Sequence, residues 1–400
     1  MNKDKLPVLM FGWELPPHNT GGLGVACYGL AKGLSQEGAK ISFALPRKLP
    51  TDAPFMDLLS HDLENVKITA INSLLQAYFN KTTYSKLRKA SNMQLYGRTI
   101  YEEAIRFSEM ANEWSERQDH NIIHAHDWMS YPAAMKANKK SGKPWVAHIH
   151  ATEYDRTGGS VNPVIAETEY AGLNNASRVI AVSNYTKEIV HKKYSIASDK
   201  IDVVHNGIDL SEFSPRTIRR LFPNDNIVLF VGRLTFQKGV DYLLKAAQRV
   251  LEYQPNTIFL VVGTGDMEQQ LIMDSAYMGI GGRVLFPGFI TGQKLKDLYQ
   301  MADVFVMPSV SEPYGIVALE SIAAGTPAVI SKQSGVAETL SNVMSVDFWD
   351  IHKMSSMILS ALEYPVFSAE MTRLAREEAL KLTWRVAAQK TMRVYNKILS

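Results

Sequence analysis

The strongest chemical signal in the chain lies at residues 311–320, SEPYGIVALE. An apolar run ends just before this segment and a helical pattern begins near Gly315, so the segment predicts a helix start. A helix start offers unpaired backbone N–H groups and the positive end of the helix dipole, and both bind anions. Glu312 precedes the helix and Glu320 lies on its second turn, so two carboxylates are spaced to bind hydroxyl groups on two parts of one ligand. The structural alternative is an acid that stabilises the helix dipole plus an unrelated surface glutamate.

A second segment, GRLTFQKG at residues 232–239, carries two cationic side chains after a buried strand. Arg233 and Lys238 follow the carboxyl end of that strand, where open α/β sheets bind their ligands. A guanidinium fork and a lysine point charge suit a diphosphate. Basic loop residues are commonly just solvated, so the pair indicates a diphosphate site only in combination with the helix start at residues 311–320.

Two glycine-rich turns are weaker signals. Gly263 and Gly265 follow a strand, where glycine permits either a tight turn or a close ligand approach. Residues 20–24, TGGLG, include Gly22 and open a helix in the first half of the chain. Their amides are suited to phosphate or sugar, but a plain strand-to-helix turn has the same pattern.

Histidines occur in two HxH pairs. His148 and His150 lie on one predicted strand, so their side chains point to the same face. A zinc or iron centre built from His124, His126, Asp127 and His150 is one interpretation. No HExxH pattern completes it, so we expect no metal, and buried structural histidines are the alternative for His124 and His148.

Short apolar runs alternate with helical patterns over the whole chain, as expected for parallel sheets covered by helices. The predicted strands are residues 6–11, 40–45, 121–125, 145–149, 179–182, 201–204, 227–231, 257–262, 283–286, 304–307 and 328–330. The clearest predicted helices are residues 129–140, 184–193, 240–251, 316–324 and 369–399. The rhythm restarts once, after the turn-rich stretch that begins with Asn206, which predicts two doubly wound, Rossmann-like α/β domains facing across a cleft.

Length and composition exclude several classes of protein. The 400 residues carry 43 lysines and arginines against 40 acidic residues, so the net charge of +3 gives no reason to expect nucleic acid as a partner. The single cysteine, Cys27, excludes an internal disulfide and a structural zinc site built on several cysteines. No signal peptide or stretch of about 20 apolar residues is visible, so we expect a cytoplasmic protein.

One segment, residues 73–114, fits the alternation poorly. It combines lysines and arginines with tyrosines and phenylalanine. A helical insertion with a solvated basic face is the favoured interpretation, and a surface for peripheral membrane or polymer contact is the other. The oligomeric state leaves no trace in the sequence.

Four motifs that occur along the chain in the order of the family resemble those of the retaining glycosyltransferases of the GT-B fold, and most of all those of family 4. They are the acidic segment 312–320, the basic segment 232–239, the turn NGID at 206–209 and the Gly263-x-Gly265 turn. The opening FGWE at 11–14 and the HAHDW at 124–128 are also similar to glycogen and starch synthases. The lysine usual before the glycine pair of those synthases is replaced here by Asn19-Thr20.

The resemblance implies a role for each matched residue. Arg233 and Lys238 would hold the diphosphate of a sugar nucleotide. Glu320 would bind its ribose, Glu312 the hydroxyls of the transferred sugar, and His150 would lie at the reacting face of that sugar as a positioning and polarising group. The positions implied to bind the donor are Gly22, Gly263, Gly265, Ile290, Tyr314, Gly315, Ile316 and Glu320. Asp127 and Glu153 are placed on the acceptor side.

The resemblance also implies domain bounds: an acceptor-side domain at residues 1–205, a nucleotide-sugar domain at 206–380, and a C-terminal helix at 381–400 that packs back on the first domain. The expected reaction moves a hexose, with glucose first, to a carbohydrate acceptor such as an α-glucan. UDP- or ADP-linked donors are expected before GDP-linked ones, with no cofactor and no metal. The alternatives are cell-surface polysaccharide assembly, a sugar-nucleotide hydrolase or epimerase on the same scaffold, a non-catalytic sensor of nucleotide sugars, and a metal-dependent hydrolase.

Overall fold

The computed structural model describes residues 5–16, 21–46, 53–59, 100–213 and 220–400, and these residues form two compact units. The N-terminal unit comprises Met1–Arg156, Ser160–Gly207 and Trp384–Ser400. The C-terminal unit comprises Thr157–Gly159 and Ile208–Thr383. Each unit is built around one parallel sheet, so the predicted α/β class with two doubly wound sheets is confirmed.

The N-terminal sheet has seven described strands in the order β3-β2-β1-β4-β5-β6-β7. The strands are β1 (Leu6–Phe11), β2 (Ala39–Ala44), β3 (Met56–Leu59), β4 (Ile122–His126), β5 (Trp145–Ile149), β6 (Arg178–Ala181) and β7 (Ile201–Val203). Every residue of β4 and β5 is buried, as expected for a parallel sheet covered on both faces. The chain order runs outward from β1 on one side and from β4 on the other, so the topological switch point lies between these two strands.

Helices cover this sheet, and the last of them comes from the end of the chain. The helices are Gly22–Gln36, Ile100–Arg117, Tyr131–Ser141, Glu153–Thr157, Pro163–Asn175, Asn184–Tyr194 and Trp384–Leu399. The C-terminal helix Trp384–Leu399 packs on Gly22–Gln36, where a Cβ atom on Gly33 would lie 2.5 Å from the backbone oxygen of Trp384. The absence of a side chain at Gly33 therefore sets how closely the two helices approach.

The C-terminal sheet has six described strands in the order β10-β9-β8-β11-β12-β13. The strands are β8 (Asn226–Val231), β9 (Thr257–Val262), β10 (Val284–Gly288), β11 (Val304–Met307), β12 (Ala328–Ser331) and β13 (Met344–Val346). The helices of this unit are Val240–Tyr253, Glu268–Tyr277, Gly292–Met301, Ile316–Ala324, Ile351–Glu363 and Pro365–Ala379. The switch point of this sheet lies between the paired strands β8 and β11.

Two features differ from the sequence-based expectation. The pattern at residues 369–399 predicts one helix, but the structure has two, which end and begin around residues 380–383, where Ile208 N donates to Leu382 O. The sequence pattern did not predict strands β3 and β13. Strand β3 has only four residues and β13 only three, and each lies at a sheet edge.

Residues 73–99 of the basic segment lie outside the described ranges, and the remainder of that segment belongs to the helix Ile100–Arg117. Within the described part of the chain, no helix combines the length and apolar character needed to span a membrane.

Candidate functional site

The C-terminal unit brings its two charged segments together at the switch point of its sheet. The loop after β8 carries Arg233 and Lys238, and the loop after β11 carries Glu312. These strands are direct neighbours, so the loops at their carboxyl ends lie side by side. Val310 N donates to Gln237 O at 2.9 Å, which ties one loop to the other. Open α/β sheets bind ligands at this position.

Lys238 and Glu312 form an ion pair at the centre of these loops. Lys238 Nζ lies 2.6 Å from Glu312 Oε2, and the side chains are only 19% and 9% exposed. Ser309 Oγ donates to the same carboxylate oxygen at 3.1 Å. The backbone of Glu312 is fixed as well, since its N–H donates to Gln333 O and its carbonyl accepts from Gly335 N, both at 2.9 Å. The pair is therefore a rigid, partly buried arrangement of opposite charges.

The helix Ile316–Ala324 begins beside this ion pair. Its N-cap residue, Gly315, has φ 106°, a left-handed conformation that favours glycine, and no side chain caps the helix start. A Cβ atom on Gly315 would lie 3.0 Å from Met307 Cε. The preceding Tyr314 is buried, which raises the pKa of its hydroxyl, and its carbonyl accepts from Val336 N at 2.6 Å. The first amides of this helix, from Ile316 onward, thus follow a fixed turn.

Glu320 lies further along the same helix and is half-buried. Tyr299 Oη donates to Glu320 Oε2 at 2.9 Å. Burial raises the pKa of Glu320 to about 7, and the hydrogen bond from Tyr299 acts in the opposite direction. This carboxyl group therefore changes charge near neutral pH.

The two glycines after β9 have a structural function. A Cβ atom on Gly263, whose φ is 140°, would lie 1.8 Å from Gly232 O, and one on Gly265 would lie 2.2 Å from Leu234 O. Leu234 N donates to Thr264 O at 3.0 Å. The backbone of this turn thus packs against the backbone of the loop that carries Arg233. Arg233 is half-buried. The tight-turn interpretation of this motif is supported, and a donor contact is compatible with it.

The two remaining residues that the sequence predicts to contact a donor are Ile290 and Gly22. Ile290 is half-buried and follows β10, which ends at Gly288. Gly22 belongs to the N-terminal unit, where it is exposed as the first residue of the helix Gly22–Gln36. The N-cap residue of that helix is Gly21, which has no side chain that could cap it, so the helix start has the backbone character expected of an anion site.

The N-terminal unit places four buried histidines side by side: His124 and His126 on β4, His148 on the neighbouring β5, and His150 directly after β5. The rings of His124 and His126 stack at 4.5 Å, and those of His148 and His150 at 4.2 Å. Across the strands, His124 Nε2 lies 3.1 Å from His148 Nδ1, and His126 Nδ1 lies 3.0 Å from His150 Nε2. Burial lowers the pKa of all four, to about 3 for His124 and His150. The array is therefore neutral at pH 7.

Asp127 follows β4 in the left-handed region, with φ 60°. Its Oδ1 accepts from His150 N at 2.6 Å, so the aspartate fixes the backbone at that histidine. Burial raises the pKa of Asp127 to about 7, against the opposing influence of Arg156 and of the His150 amide. Oδ2 of Asp127 is buried and has no hydrogen-bond partner among the described residues.

Glu153 belongs to a buried ionic network. Its Oε2 accepts from Arg156 Nε at 3.2 Å and its Oε1 from Asn162 N at 3.2 Å. Arg156 also pairs with Glu169, which accepts a short hydrogen bond from Tyr194. Burial raises the pKa of Glu169, and Arg156 opposes that shift. The structure thus gives Glu153 a structural function, and its predicted place on the acceptor side stays a prediction.

The sequence did not single out Ser309, Tyr299 or Tyr395, although each contacts a candidate residue. Tyr395 Oη lies 2.5 Å from His124 Nδ1. These partners are separated from their targets by 3, 21 and 271 positions. Only Ser309, two residues after the end of β11, carried a usable signal, because polar residues at that strand edge line ligand sites.

Two family profiles cover most of the chain. The profile of the glycosyl transferases group 1 matches residues 215–377, and that of glycosyltransferase family 4 matches residues 20–212. An uncharacterized glycosyltransferase of Methanocaldococcus jannaschii, MJ1607, is 30% identical over 414 residues, which cover 98% of each chain. A glycogen synthase of Mycobacterium tuberculosis is 27% identical over 396 residues, covering 97% of this chain and 94% of the synthase.

Solved structures show the same fold. Sucrose-phosphate synthase from Thermosynechococcus elongatus superimposes with a TM-score of 0.79 at 21% identity, covering 98% of this chain and 99% of that one. The Anabaena protein HepE in complex with UDP-glucose gives a TM-score of 0.70 at 17% identity, covering 98% and 100%. The chain therefore belongs to the group 1 and family 4 glycosyltransferases and has their GT-B fold.

Proposed function

We propose that this glycosyltransferase moves a hexose, with glucose as the first choice, from a nucleotide-diphosphate sugar to a carbohydrate acceptor with retention of the anomeric configuration. The ion pair of Lys238 and Glu312 beside the start of the helix Ile316–Ala324 is the observation that carries this proposal. It combines a cation and a helix start for phosphate with a carboxylate for sugar hydroxyls at the ligand-binding edge of one sheet.

The diphosphate is the part of the donor that this arrangement suits best. Breaking the anomeric C–O bond leaves a nucleoside diphosphate with growing negative charge. Fixed cations and backbone amides lower the barrier because they are oriented before the charge develops. Arg233 and Lys238 supply the cations, and Gly315 and Ile316 supply amides. With these groups in place the transfer needs no metal ion and no cofactor.

The carboxylates orient the two ends of the donor. Glu312 accepts hydroxyls of the transferred sugar, with Ser309 and Lys238 fixing its Oε2. Glu320 accepts ribose hydroxyls, with Tyr299 fixing its Oε2. Backbone groups near Gly263, Gly265 and Ile290 complete the donor contacts. A UDP- or ADP-linked donor is proposed before a GDP-linked one, in keeping with the UDP-glucose bound by the Anabaena protein of the same fold.

His150 is proposed as a positioning and polarising group. Its low pKa keeps the ring neutral at pH 7, so it donates or accepts a hydrogen bond without carrying charge. Asp127 fixes the backbone at this position. No protein base is assigned, because the departing phosphate is itself able to take the acceptor's proton.

An α-glucan is the first proposed acceptor, since the chain is similar over nearly its whole length to a protein named glycogen synthase. Assembly of a cell-surface polysaccharide is the second candidate. The observation that favours it is the replacement of the synthases' usual lysine before the glycine pair by Asn19-Thr20.

A donor and acceptor panel tests the proposal. The protein is incubated with UDP-, ADP- and GDP-linked hexoses, with and without α-glucan or other oligosaccharides, and release of nucleoside diphosphate is measured. Release that requires acceptor supports transfer, and the anomeric configuration of the product is then read by NMR. Release of nucleoside diphosphate without acceptor indicates a hydrolase, and conversion of the donor into another nucleotide sugar without net release indicates an epimerase. Tight binding without any turnover indicates a sensor. Each of these three outcomes contradicts the proposed transfer.

A further inference from the structure

We propose that the N-terminal unit binds one divalent cation of the Zn²⁺ class through Cys27, His126 and His150. One ligand atom from each of these residues lies within 4.8 Å of the other two, and all three side chains are buried. Sulfur and imidazole nitrogen are the ligands that zinc prefers in proteins. Cys27 is the single cysteine of the chain, so no disulfide within the chain competes for its thiol.

The spacing of the two imidazoles suits one tetrahedral ion. His126 Nδ1 and His150 Nε2 are 3.0 Å apart. Zinc–nitrogen bonds of ~2.0–2.1 Å at a tetrahedral angle place two nitrogens roughly 3.3 Å apart. A separation larger by a few tenths of an ångström is within reach of small rotations of the two rings, so binding requires no change in the strands β4 and β5.

The protons balance. The rings of His126 and His150 share one hydrogen bond, so one of the two facing nitrogens carries a proton. His126 Nε2 and His150 Nδ1, the outer nitrogens, are buried with no partner among the described residues. The shared proton moves to the outer nitrogen of its own ring, and both facing lone pairs then bind the ion. The thiol of Cys27 releases its proton to solvent, so one cation enters and one proton leaves.

The charges also favour this trio over the other histidine cluster. A buried dication needs counter-charges. The thiolate of Cys27 supplies one, and Asp127, the chain neighbour of His126, has a buried Oδ2 without a partner among the described residues. The cluster of His124, His126 and His148 contains no anionic ligand, and His124 is already bonded to Tyr395.

The bound cation would act as an inhibitor, and this consequence rests on the proposed function of His150. An ion that holds the His150 ring withdraws it from the transferred sugar. Activity therefore needs no metal, but an excess of zinc suppresses it. The side chain of His150 is 7% exposed, which is the largest exposed fraction among the three ligands. An ion therefore enters the site past His150.

Cobalt spectroscopy tests the site without any substrate. The full-length protein is freed of metal with a chelator and titrated with Co²⁺, which copies zinc coordination and gives a charge-transfer band only when a thiolate binds it. Wild type and His352→Ala, an exposed-histidine control, are expected to show the band with one ion per chain. Cys27→Ala and the near-isosteric Cys27→Ser are expected to lose it, with Zn²⁺ affinity lowered at least about tenfold by calorimetry. The absence of a band in wild type, or an equal band in a folded Cys27 variant, overturns the proposal.

An activity arm separates this site from the proposed function. In a transfer assay, Zn²⁺ is expected to inhibit wild type and His352→Ala while Cys27→Ala and Cys27→Ser keep their basal rate and resist inhibition. A cobalt band in a protein that transfers no sugar leaves the metal site standing and removes the proposed function. Sugar transfer by a protein that shows no cobalt band removes the metal site and leaves the proposed function standing. Thermal melting shows whether each variant is folded, and the serine variant replaces the alanine variant if only it folds.

Discussion

At the scale of single residues, the proposed function rests most on the pairing of Lys238 with Glu312. Both were singled out from residue type and position, since cations and acids at strand ends suggest a phosphate and sugar site. Their direct contact at 2.6 Å could not be read from the sequence, because 74 positions separate them. The same holds for Ser309 and Tyr299, whose function depends on folded neighbours.

We expect Lys238→Ala to lower kcat by ~10²–10³, the typical loss when one preorganised group at a developing charge is removed. The variant also leaves the buried carboxylate of Glu312 without its cation, so it costs some stability. Steady-state kinetics with the best donor measure the effect. Lys245→Ala is the matched control, because that lysine is exposed and only loosely paired with Asp241 at 3.7 Å. Equal kinetics for wild type and Lys238→Ala would show that the diphosphate is placed wrongly.

The raised pKa of Glu320, about 7, predicts pH-dependent donor binding. A carboxylate accepts ribose hydroxyls better than a carboxylic acid, so KM for the donor is expected to fall as the pH rises through about 7. Glu320→Gln is expected to raise KM about tenfold at pH above 7, equivalent to ~1.4 kcal/mol. It also removes this pH dependence. A pH dependence of KM that persists in Glu320→Gln assigns the titration to another group.

The same carboxyl group links stability to pH. Its pKa is above the ordinary 4.5, so the folded state binds the proton more tightly than the unfolded state. The resulting stabilisation is fully present below about pH 4.5 and is lost as the pH rises through about 7. Melting temperatures of wild type and Glu320→Gln are measured between pH 4.5 and about 7. As the pH rises, wild type is expected to lose more stability than Glu320→Gln. Parallel curves would contradict the burial of this group.

At the scale of elements, most strands were predictable, some of them with both ends, whereas the short edge strands were not. The strands 145–149, 257–262 and 304–307 have the predicted bounds, because continuous apolar runs are typical of buried parallel strands. The edge strands Met56–Leu59 and Met344–Val346 were missed, since three or four residues carry too little periodicity. The predicted continuous helix at 369–399 was wrong, because the break around residues 380–383 contains neither glycine nor proline to mark it.

The start of the helix Ile316–Ala324 allows a paired test. Gly315→Ala forces a Cβ atom into a left-handed conformation and to within 3.0 Å of Met307, so the turn must shift and donor affinity is expected to fall about tenfold. Gly325→Ala at the other end of the same helix has a similar backbone strain, φ 90°, but no neighbour within 4 Å of the new Cβ. It is expected to cost ~1–2 kcal/mol of stability with unchanged donor affinity. Calorimetric titration of the donor into both variants measures the contrast, and equal losses of affinity would mean that helix stability alone matters.

At the scale of the whole molecule, the restart of the strand pattern after residue 205 predicted two α/β units before any resemblance was considered. The return of the chain end to the first unit was implied only by the resemblance. Its physical basis is the close contact of Trp384 with Gly29 and Gly33, which is invisible in sequence because more than 350 positions separate the partners. The contact between Tyr395 and His124 has the same non-local character.

Gly33→Ala tests how the C-terminal helix holds the N-terminal unit together. The new Cβ atom would meet a backbone oxygen at 2.5 Å, which cannot move aside as a side chain does, so we expect a loss of ~1–3 kcal/mol in the free energy of unfolding. For Gly21→Ala, no atom of the described residues lies within 4 Å of the new Cβ and the φ of −148° is unstrained, so this variant is expected to stay within ~0.5 kcal/mol of wild type. Urea unfolding measures both. Equal stabilities would show that the two helices are not tightly packed.

The most direct test of the central claim is a thermal-shift panel of UDP-, ADP- and GDP-linked hexoses on wild type and the Arg233→Ala/Lys238→Ala double variant. A ligand that binds only the folded state raises the melting temperature. We expect UDP-glucose or ADP-glucose to stabilise wild type, and the double variant, folded without ligand, to lose most of that shift. A wild type that responds to none of these donors, or a double variant that responds as wild type does, would contradict the claim that Arg233 and Lys238 hold the diphosphate.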